Sequence, residues 1–486
     1  MKKVIIFFLG YFFMQSSFGQ ASKQLSVKEK IAAVENGLTA FSQAAGEPPV
    51  TYTLAERMKF YKVPTVSIAL INNGKIEWVK AYGSAGRDNK LKADNATLFQ
   101  IASQSKGITG TLALVLVDRK LLTLDDDANK YLKSWKIPPS DFTKDYPETL
   151  RWLISGWSGM SVKGFSGYKK GDPLPNTVQI LNGEKPATNQ PVKVLMKPGS
   201  RPLESGGAIM VAQQMIEDVT GENYASVLRE KLTGPLGMSN TACRLAERPD
   251  TINVANGFFE NGNQVPGGWY IQPQYASSGI WSTARDLATY LVEIQKAIRG
   301  KSKILSQQAA LQMANRNFRF PGEPVPTLPI NDHMMFGQTS HNHGYMTFLE
   351  CSATSGRGIV IMTNSDNGQQ LITEIRNGID NVYQWRFHSP KHDIQLTSDQ
   401  LKAFDGKYQF KLNPNAFMQV TAKDDYLLVK LLWDGEEYKI FPTSDLDFIS
   451  EVQGLPSRFV RGNDGKINKL LVFDTEDEWD KVKDAP

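Results

Sequence analysis

A serine and a lysine one helical turn apart are the residues of this chain best suited to covalent chemistry. Ser103 and Lys106 are separated by two residues, so on a helix their side chains share one face. A free serine hydroxyl is a poor nucleophile, and a lysine partly shielded from water can lose its proton and act as the base beside it. On spacing alone, the pattern is also typical of a solvated lysine near a helix start with serine as the N-cap.

The residues around this pair predict a serine that enters the first turn of a buried helix. Residues 99–102 read Phe-Gln-Ile-Ala, as at the end of a strand, and an apolar stretch through Val115 and Val117 follows Lys106. This arrangement favours the catalytic interpretation of the pair over the N-cap interpretation.

With these residues, a series of motifs along most of the chain resembles the serine β-lactamase and penicillin-binding-protein superfamily, in its class C-like branch of serine hydrolases. The motifs lie, in the family's order, at residues 62–69, 75–78, 120–126, 198–199, 205–207, 235–238, 279–287 and 360–364. The resemblance implies an α+β fold, in which an antiparallel sheet is flanked by helices and joined to a helical subdomain. Strands at 302–370 are expected to rejoin the hairpin at 66–82 in one sheet.

The resemblance also implies the roles of the site residues. Ser103 is the nucleophile and Lys106 the activating amine, and the backbone N–H groups of Ser103 and His341 hold the oxyanion. The proton shuttle is normally a tyrosine, in a Tyr-x-Asn or Tyr-Ser-Gly motif. Here that position is Glu204, so the tyrosine is absent.

Two interpretations of Glu204 are open. A carboxylate that faces Lys106 would keep the amine protonated, and Glu204 would then take the Ser103 proton itself, directly or through water. In the alternative, Glu204 and Lys106 form an inert ion pair. If Glu204 points away from the site, Tyr168 is another candidate shuttle, although it also fits a simple loop aromatic.

The strand expected to flank the site departs from the family as well. Gln338, Thr339 and Ser340 stand where the family has Lys-Thr-Gly or His-x-Gly, and we assign them with His341 to substrate binding. Gln338 carries no charge, so binding of anionic substrates should weaken. Ser340 is expected to add a side chain where the substrate backbone would lie. A third departure lies at residues 156–159, usually His-Thr-Ser-Gly.

These residues predict an enzyme that cleaves an ester or amide bond, in a small-molecule or peptide-like substrate, through a Ser103 acyl-enzyme. One alternative is a relative that kept the cleft and lost the chemistry. Another is an acyl transferase or cyclase that uses the same acyl-enzyme, because water exclusion decides between hydrolysis and transfer. No cofactor is implied, and His341 and His343 without a third ligand do not indicate a metal site.

Composition and length limit the classes of protein to which the chain can belong. The chain has 486 residues, 41% of them hydrophobic and 22% charged, which is typical of a globular protein with two folded units. A formal net charge of +5 over this length gives no indication of nucleic-acid binding.

The two ends of the chain differ in character from its middle. Residues 1–20 have the charged start, apolar centre and small-residue end of a signal peptide, which predicts a periplasmic or secreted protein with no later membrane span. Residues 21–388 form the predicted hydrolase domain. Short strands separated by turn signals predict a small antiparallel β-barrel at 395–486, which resembles the lipocalin-like domain appended to this branch. The distant Cys243 and Cys351 are expected to be unpaired core residues.

Overall fold

The structure is a computed structural model. It describes residues 25–39, 50–85, 90–200, 203–243, 253–314, 335–352, 355–385, 396–411, 414–433, 435, 437–450, 456–472 and 477–482. The predicted signal peptide at 1–20 lies outside these residues.

Twelve α-helices lie in the described residues. They are α1 Val27–Asn36, α2 Leu54–Phe60, α3 Gln104–Asp118, α4 Leu150–Ser155, α5 Thr177–Asn182, α6 Gly206–Thr220, α7 Tyr224–Leu228, α8 Tyr275–Ser278, α9 Ala284–Ile298, α10 Gln307–Ala314, α11 Gly368–Tyr383 and α12 Ser398–Lys402. A 3₁₀ turn at Ala128–Lys130 and a π-helical turn at Arg229–Thr233 complete the helical segments.

A six-stranded antiparallel sheet forms the centre of the larger unit. Two short strand pairs precede or flank it: β1 Leu38–Thr39 with β2 Thr51–Tyr52, and β6 Phe99–Gln100 with β7 Trp281–Ser282. The main sheet comprises β3 Thr65–Asn72, β4 Lys75–Ala85, β5 Leu91–Lys92, β8 Met335–Asn342, β9 Tyr345–Ser352 and β10 Gly358–Thr363. Its order is β5-β4-β3-β10-β9-β8, so the late strands rejoin the first hairpin as predicted.

Helices cover both faces of this sheet. On one face, α11 and α1 pack together over a core that includes Ile68, Ile361 and Ile375. On the other face, α9 packs on β3, β4 and β10, next to the core shared with α3 and α6. Strand β3 is therefore buried at seven of its eight positions, as expected for a strand covered on both faces. The predicted α+β fold is confirmed.

Helix α3, which carries the Ser-Lys pair, lies within the larger core. Eleven of its residues are buried, including Leu112 and Val115 near its middle. An apolar sequence on all sides of a helix indicates burial on all sides, and here α6, α8, α4 and α10 pack around it. The first turn of α3 is consequently held in a fixed place by its surroundings.

The C-terminal unit is a closed eight-stranded antiparallel barrel, as predicted. Its strands are β11 Gly406–Phe410, β12 Phe417–Ala422, β13 Leu427–Leu431, β14 Glu437–Pro442, β15 Asp447–Ser450, β16 Pro456–Arg461, β17 Ile467–Val472 and β18 Asp477–Lys481. The first strand pairs with the last, Phe410 opposite Trp479. Inside, Phe404 from the turn after α12 contacts Phe448 and Phe459.

Other features of the described residues bear on the sequence predictions. Cys243 and Cys351 are both buried and form no disulfide bond, as predicted. In the parts of the chain that the structure describes, no group of three or more His, Cys, Asp or Glu side chains could hold a metal ion. Among the same residues, no helix is both long and apolar enough to cross a membrane.

Candidate functional site

The site begins at a strained turn between β6 and α3. Ala102 adopts φ +48°, a left-handed conformation that is uncommon for a residue with a side chain. Ser103 follows with φ −63° and ψ −8°, as the first residue at the helix start. Such backbone strain costs on the order of 1–3 kcal/mol and persists only where the surrounding structure holds it. It clusters at functional sites, in agreement with the catalytic interpretation of Ser103.

Ser103, Lys106 and Glu204 converge at this turn. Lys106 Nζ lies 3.1 Å from Ser103 Oγ and 2.5 Å from Glu204 Oε1. The Lys106 side chain is 15% exposed, whereas that of Glu204 is 55% exposed. The amine therefore lies inside the cleft and the carboxylate lies at its opening.

Glu204 reaches the amine because the segment before it is tied to the loop after α4. Residues 195–203 form three backbone hydrogen bonds to residues 156–159, and the last runs from Leu203 N to Gly156 O at 2.8 Å. The segment at 156–159 is the third departure from the family motif. The backbone carbonyl groups of this segment hold the chain that leads to Glu204.

Helix α6 begins directly after Glu204 and fixes the other side of that residue. Ser205 caps the helix, since its Oγ accepts a hydrogen bond from Ala208 N at 2.9 Å and donates one to Ser161 O at 2.7 Å. A Cβ at Gly207 would lie 2.6 Å from the same Ser161 oxygen. Glycine is therefore required there for the loop to approach the start of α6.

The structure corrects the expectation for Ser340. Its side chain is 5% exposed, and its Oγ donates to Ile101 O at 2.9 Å, with Thr347 O at 3.4 Å. The side chains of a strand alternate between its two faces, and position 340 faces the core behind the nucleophile turn. Ser340 thus does not project a side chain into the path of the substrate, contrary to the prediction.

The other residues predicted on this strand differ in position. Thr339 is half-buried and His341 is exposed, and the His341 Nε2 lies 2.8 Å from Asp366 Oδ1. The backbone of Gln338 belongs to β8, whereas its side chain lies outside what the structure describes. His343 is exposed and packs edge-on against Tyr270. No metal site is formed by the two histidines among the described residues.

The contacts of Tyr168 do not fit the role of proton shuttle. The residue is 4% exposed, and its hydroxyl accepts a hydrogen bond from Thr188 N at 3.2 Å. Its backbone pairs with Ile271. This matches the loop-aromatic interpretation, and Glu204 is the group that faces Lys106.

Two contributors to the site were missed by sequence reasoning. Asn342 donates from Nδ2 to Gln100 Oε1 at 2.8 Å, and Asp366 accepts from Gly344 N at 2.6 Å as well as facing His341. The alternation of polar residues at 340 and 342 was a weak signal for the first. No local pattern points to Asp366, because only the sheet topology brings it to the end of β8.

Chemically, the site holds a nucleophile, an amine and a carboxylate in a chain. A Lys106 ammonium can donate to Ser103 Oγ and to Glu204 at once, which stabilises negative charge developing on the serine oxygen. The carboxylate is the acceptor at the end of this chain. The three side chains thus form a continuous hydrogen-bonded chain from the serine hydroxyl to the exposed carboxylate.

Known proteins resemble this chain in sequence over much of its length. The sequence model of the family described as Beta-lactamase matches residues 50–380. The teichoic acid D-alanine hydrolase of Staphylococcus aureus is 26% identical over 301 residues, which cover 58% of this chain and 69% of that protein.

Two solved structures share the fold over more of the chain. The octameric penicillin-binding protein homologue from Pyrococcus abyssi has a TM-score of 0.57 at 19% identity and covers 88% of this chain and 98% of its own. SurE has a TM-score of 0.53 at 18% identity and covers 88% and 97%, respectively. At these identities the likeness establishes the fold.

Proposed function

This chain belongs to the β-lactamase family, and from that premise we propose that it is an exported serine hydrolase that cleaves an ester or amide bond through a Ser103 acyl-enzyme. The observation that carries the proposal is the convergence of Ser103, Lys106 and Glu204 over Nζ distances of 3.1 and 2.5 Å. Export rests on the signal peptide predicted at residues 1–20.

In the proposed acylation, Ser103 Oγ forms a bond to the carbonyl carbon of the substrate. Lys106 gives one of its protons to the Glu204 carboxylate and takes the Ser103 hydroxyl proton in its place, so that it remains an ammonium beside the reacting serine oxygen. When the carbonyl–heteroatom bond breaks, the proton passes from the Glu204 end to the leaving oxygen or nitrogen. Water then adds to the acyl carbon, the Oγ–carbon bond breaks, and the serine hydroxyl is restored.

Glu204 in place of the family tyrosine is the unusual part of this scheme. A carboxylate takes a proton more weakly than a tyrosinate, so it depends on being held against its partner. The backbone ties at 156–159 and the Ser205 cap supply that constraint on the two sides of Glu204. These contacts support a catalytic role for the Glu204 carboxylate over an inert surface ion pair.

The substrate class follows from the charges around the cleft. The family's basic strand residue is replaced by neutral Gln338, and the Lys106 ammonium is already paired with the Glu204 carboxylate, so neither position offers a free positive charge to a substrate carboxylate. This favours an acyl group that carries an amine over one that carries a carboxylate. The relative named teichoic acid D-alanine hydrolase acts on a D-alanine group of this kind. We therefore propose small aminoacyl esters, or the corresponding amides, as substrates.

Active-site labelling tests the proposal directly. The protein is treated with a fluorophosphonate and examined by intact mass, beside Ser103→Ala and the buried barrel serine variant Ser450→Ala as a matched control. We expect one adduct on the wild type and on Ser450→Ala, and none on Ser103→Ala. Failure to label the wild type at any pH contradicts the acyl-enzyme and supports the binding relative instead.

Hydrolysis and transfer are distinguished by the fate of the acyl group. D-alanyl and acetyl p-nitrophenyl esters are supplied with and without an added amine acceptor, and products are identified by mass. Free acid as the main product, formed faster from the D-alanyl ester, supports the proposed hydrolase. Amide as the main product at millimolar acceptor supports a transferase.

A further inference from the structure

Two neighbouring side chains of β8 are bonded to the segment that delivers the nucleophile. Ser340 and Asn342 are two residues apart, so they share the core-facing side of the strand. The Ser340 hydroxyl donates to Ile101 O at 2.9 Å, and Asn342 Nδ2 donates to Gln100 Oε1 at 2.8 Å. Both side chains are buried, at 5% and 7% exposure.

The oxygen bonded by Ser340 is the one that closes the nucleophile turn. Ile101 O also accepts a hydrogen bond from Gln104 N at 3.1 Å, across Ala102 and Ser103. Ala102, at φ +48°, is therefore enclosed by a turn whose carbonyl is held from outside by β8. Any movement of this oxygen would rotate the peptide that precedes the strained residue.

Asn342 extends the same attachment to a third segment. Its Nδ2 also donates to Ser278 O at 3.1 Å, at the end of α8. Gln100, its other partner, donates from Nε2 to Tyr270 O at 2.7 Å. The end of β6 is thus hydrogen-bonded to β8, and Asn342 joins both to α8. These side chains are buried.

The backbone alone leaves this attachment incomplete. Ile101 N donates to Ile280 O at 3.1 Å, which ties the turn to the segment before β7. That bond holds the N–H group of Ile101, whereas the hydrogen bond from Ser340 of β8 holds its carbonyl group. Among the residues that the structure describes, the Ser340 hydroxyl joins β8 to Ile101 O by a hydrogen bond. A glycine at 340 could not supply it.

We propose that Ser340 and Asn342 are positioning residues, a clamp that holds the strained turn at Ala102 so that Ser103 Oγ stays within reach of Lys106. The clamp also fixes the spacing between Ser103 and the backbone of β8, where the predicted oxyanion donor His341 lies. Its catalytic consequence rests on the proposed function, since it assumes that Ser103 is the nucleophile. Its structural consequence does not.

Hydrogen exchange tests the clamp without any activity measurement. Wild type, Ser340→Ala and Ser450→Ala are compared by mass spectrometry on peptides that span residues 99–108. We expect at least tenfold faster exchange of the Gln104 and Ser105 amides in Ser340→Ala, with no change in Ser450→Ala, at equal far-ultraviolet circular dichroism. Equal exchange in all three proteins overturns the proposal.

Acylation kinetics separate positioning from substrate contact. For Ser340→Ala we expect the acylation rate constant to fall by about ten- to a hundredfold, with little change in the dissociation constant of the substrate. Ser340→Thr, which keeps the hydroxyl, should recover most of the rate. A loss confined to substrate affinity would overturn the clamp and indicate that Ser340 contacts substrate.

The two proposals fail in different ways. If the wild type is not labelled at Ser103, the proposed hydrolase fails, and hydrogen exchange still decides whether Ser340 holds the turn. If labelling succeeds and Ser340→Ala acylates at the wild-type rate, the hydrolase stands and the clamp fails.

Discussion

Glu204 and Lys106, 98 residues apart in the chain, are joined by an ion pair with an Nζ–Oε1 distance of 2.5 Å. The pair connects the loop before α6 to the first turn of α3, and Lys106 Nζ also lies 3.1 Å from Ser103 Oγ. The sequence prediction places this carboxylate where the family carries a tyrosine. The chemistry of the site depends on whether this carboxylate moves a proton or only holds the amine.

Replacing Glu204 by glutamine tests which role it has. Glu204→Gln keeps the shape of the side chain but removes its capacity to accept a proton at neutral pH. We expect the fluorophosphonate labelling rate to fall by on the order of a hundredfold or more, a loss typical of general acid–base catalysis. Glu204→Tyr restores the residue type of the family and should regain part of the rate. Wild-type labelling by Glu204→Gln would show that the pair is inert.

A buried ion pair between α2 and α11 should make a large contribution to stability. Glu374 accepts from Arg57 Nε at 2.6 Å and from Tyr61 Oη at 2.7 Å, and the Glu374 side chain is 4% exposed. Glu374→Ala leaves the Arg57 charge buried without its partner, which costs roughly 3–5 kcal/mol of unfolding free energy. Urea unfolding measures the loss. Asp399→Ala, which breaks an exposed pair with Lys402, is the control and should unfold as the wild type does.

Glu148 should make the stability depend on pH. Burial raises the pKa of its carboxyl to about 9, and neither carboxyl oxygen has a hydrogen-bond partner in the described part of the chain. The folded protein therefore holds a proton that the unfolded chain releases near pH 4 to 5. Between these two pKa values the folded protein binds one more proton than the unfolded chain does. The free energy of unfolding therefore falls as pH rises from about 5 to 9.

Glu148→Gln removes this dependence. The variant should be more stable than the wild type at pH 8, and the difference should shrink towards pH 5, by at most about 1.4 kcal/mol per pH unit. Melting temperatures of both proteins from pH 5 to 9 measure it. Parallel pH profiles for the two proteins would contradict the burial of a neutral Glu148.

Phe404 should contribute strongly to the packing of the barrel interior. It is 1% exposed, and its ring centroid lies 4.7 Å from that of Phe459 and 5.0 Å from that of Phe448. Phe404→Ala leaves a cavity at this point and should cost roughly 3–5 kcal/mol in the stability of the barrel. Phe142→Ala, at a 43% exposed position, is the control. Near-ultraviolet circular dichroism during thermal unfolding follows the change, and unaltered melting would contradict it.

The fold was predictable because its signals are local or ordered along the chain. The hairpin at β3 and β4, the apolar α3 and the turn-separated strands of the barrel each follow from residue periodicity and turn residues. These inferences need no knowledge of side-chain packing. The place of Glu204 between recognisable motifs left open whether it faces Lys106 or points away, and the structure shows that it faces Lys106.

The direction of the Ser340 side chain was predicted wrongly for a physical reason. The family's glycine leaves open what a side chain at that position would meet, and the expectation assumed that it would meet substrate. Side chains alternate along β8, and the register of Ser340 opposite Thr347 turns position 340 towards Ile101. Asp366 was missed because it follows β10, and it reaches His341 of β8 only through the pairing of both strands with β9.

The position of β3 in the main sheet has a consequence for the order in which the chain folds. Strand β3 is buried on both faces, yet its neighbour β10 can pair with it only after the long intervening chain has folded back, with Val66 opposite Thr363. Until then one edge of β3 and both of its faces lack their final cover. Long-range pairing of this kind forms slowly, so completion of the sheet should limit the rate at which the turn at Ala102 and Ser103 is assembled.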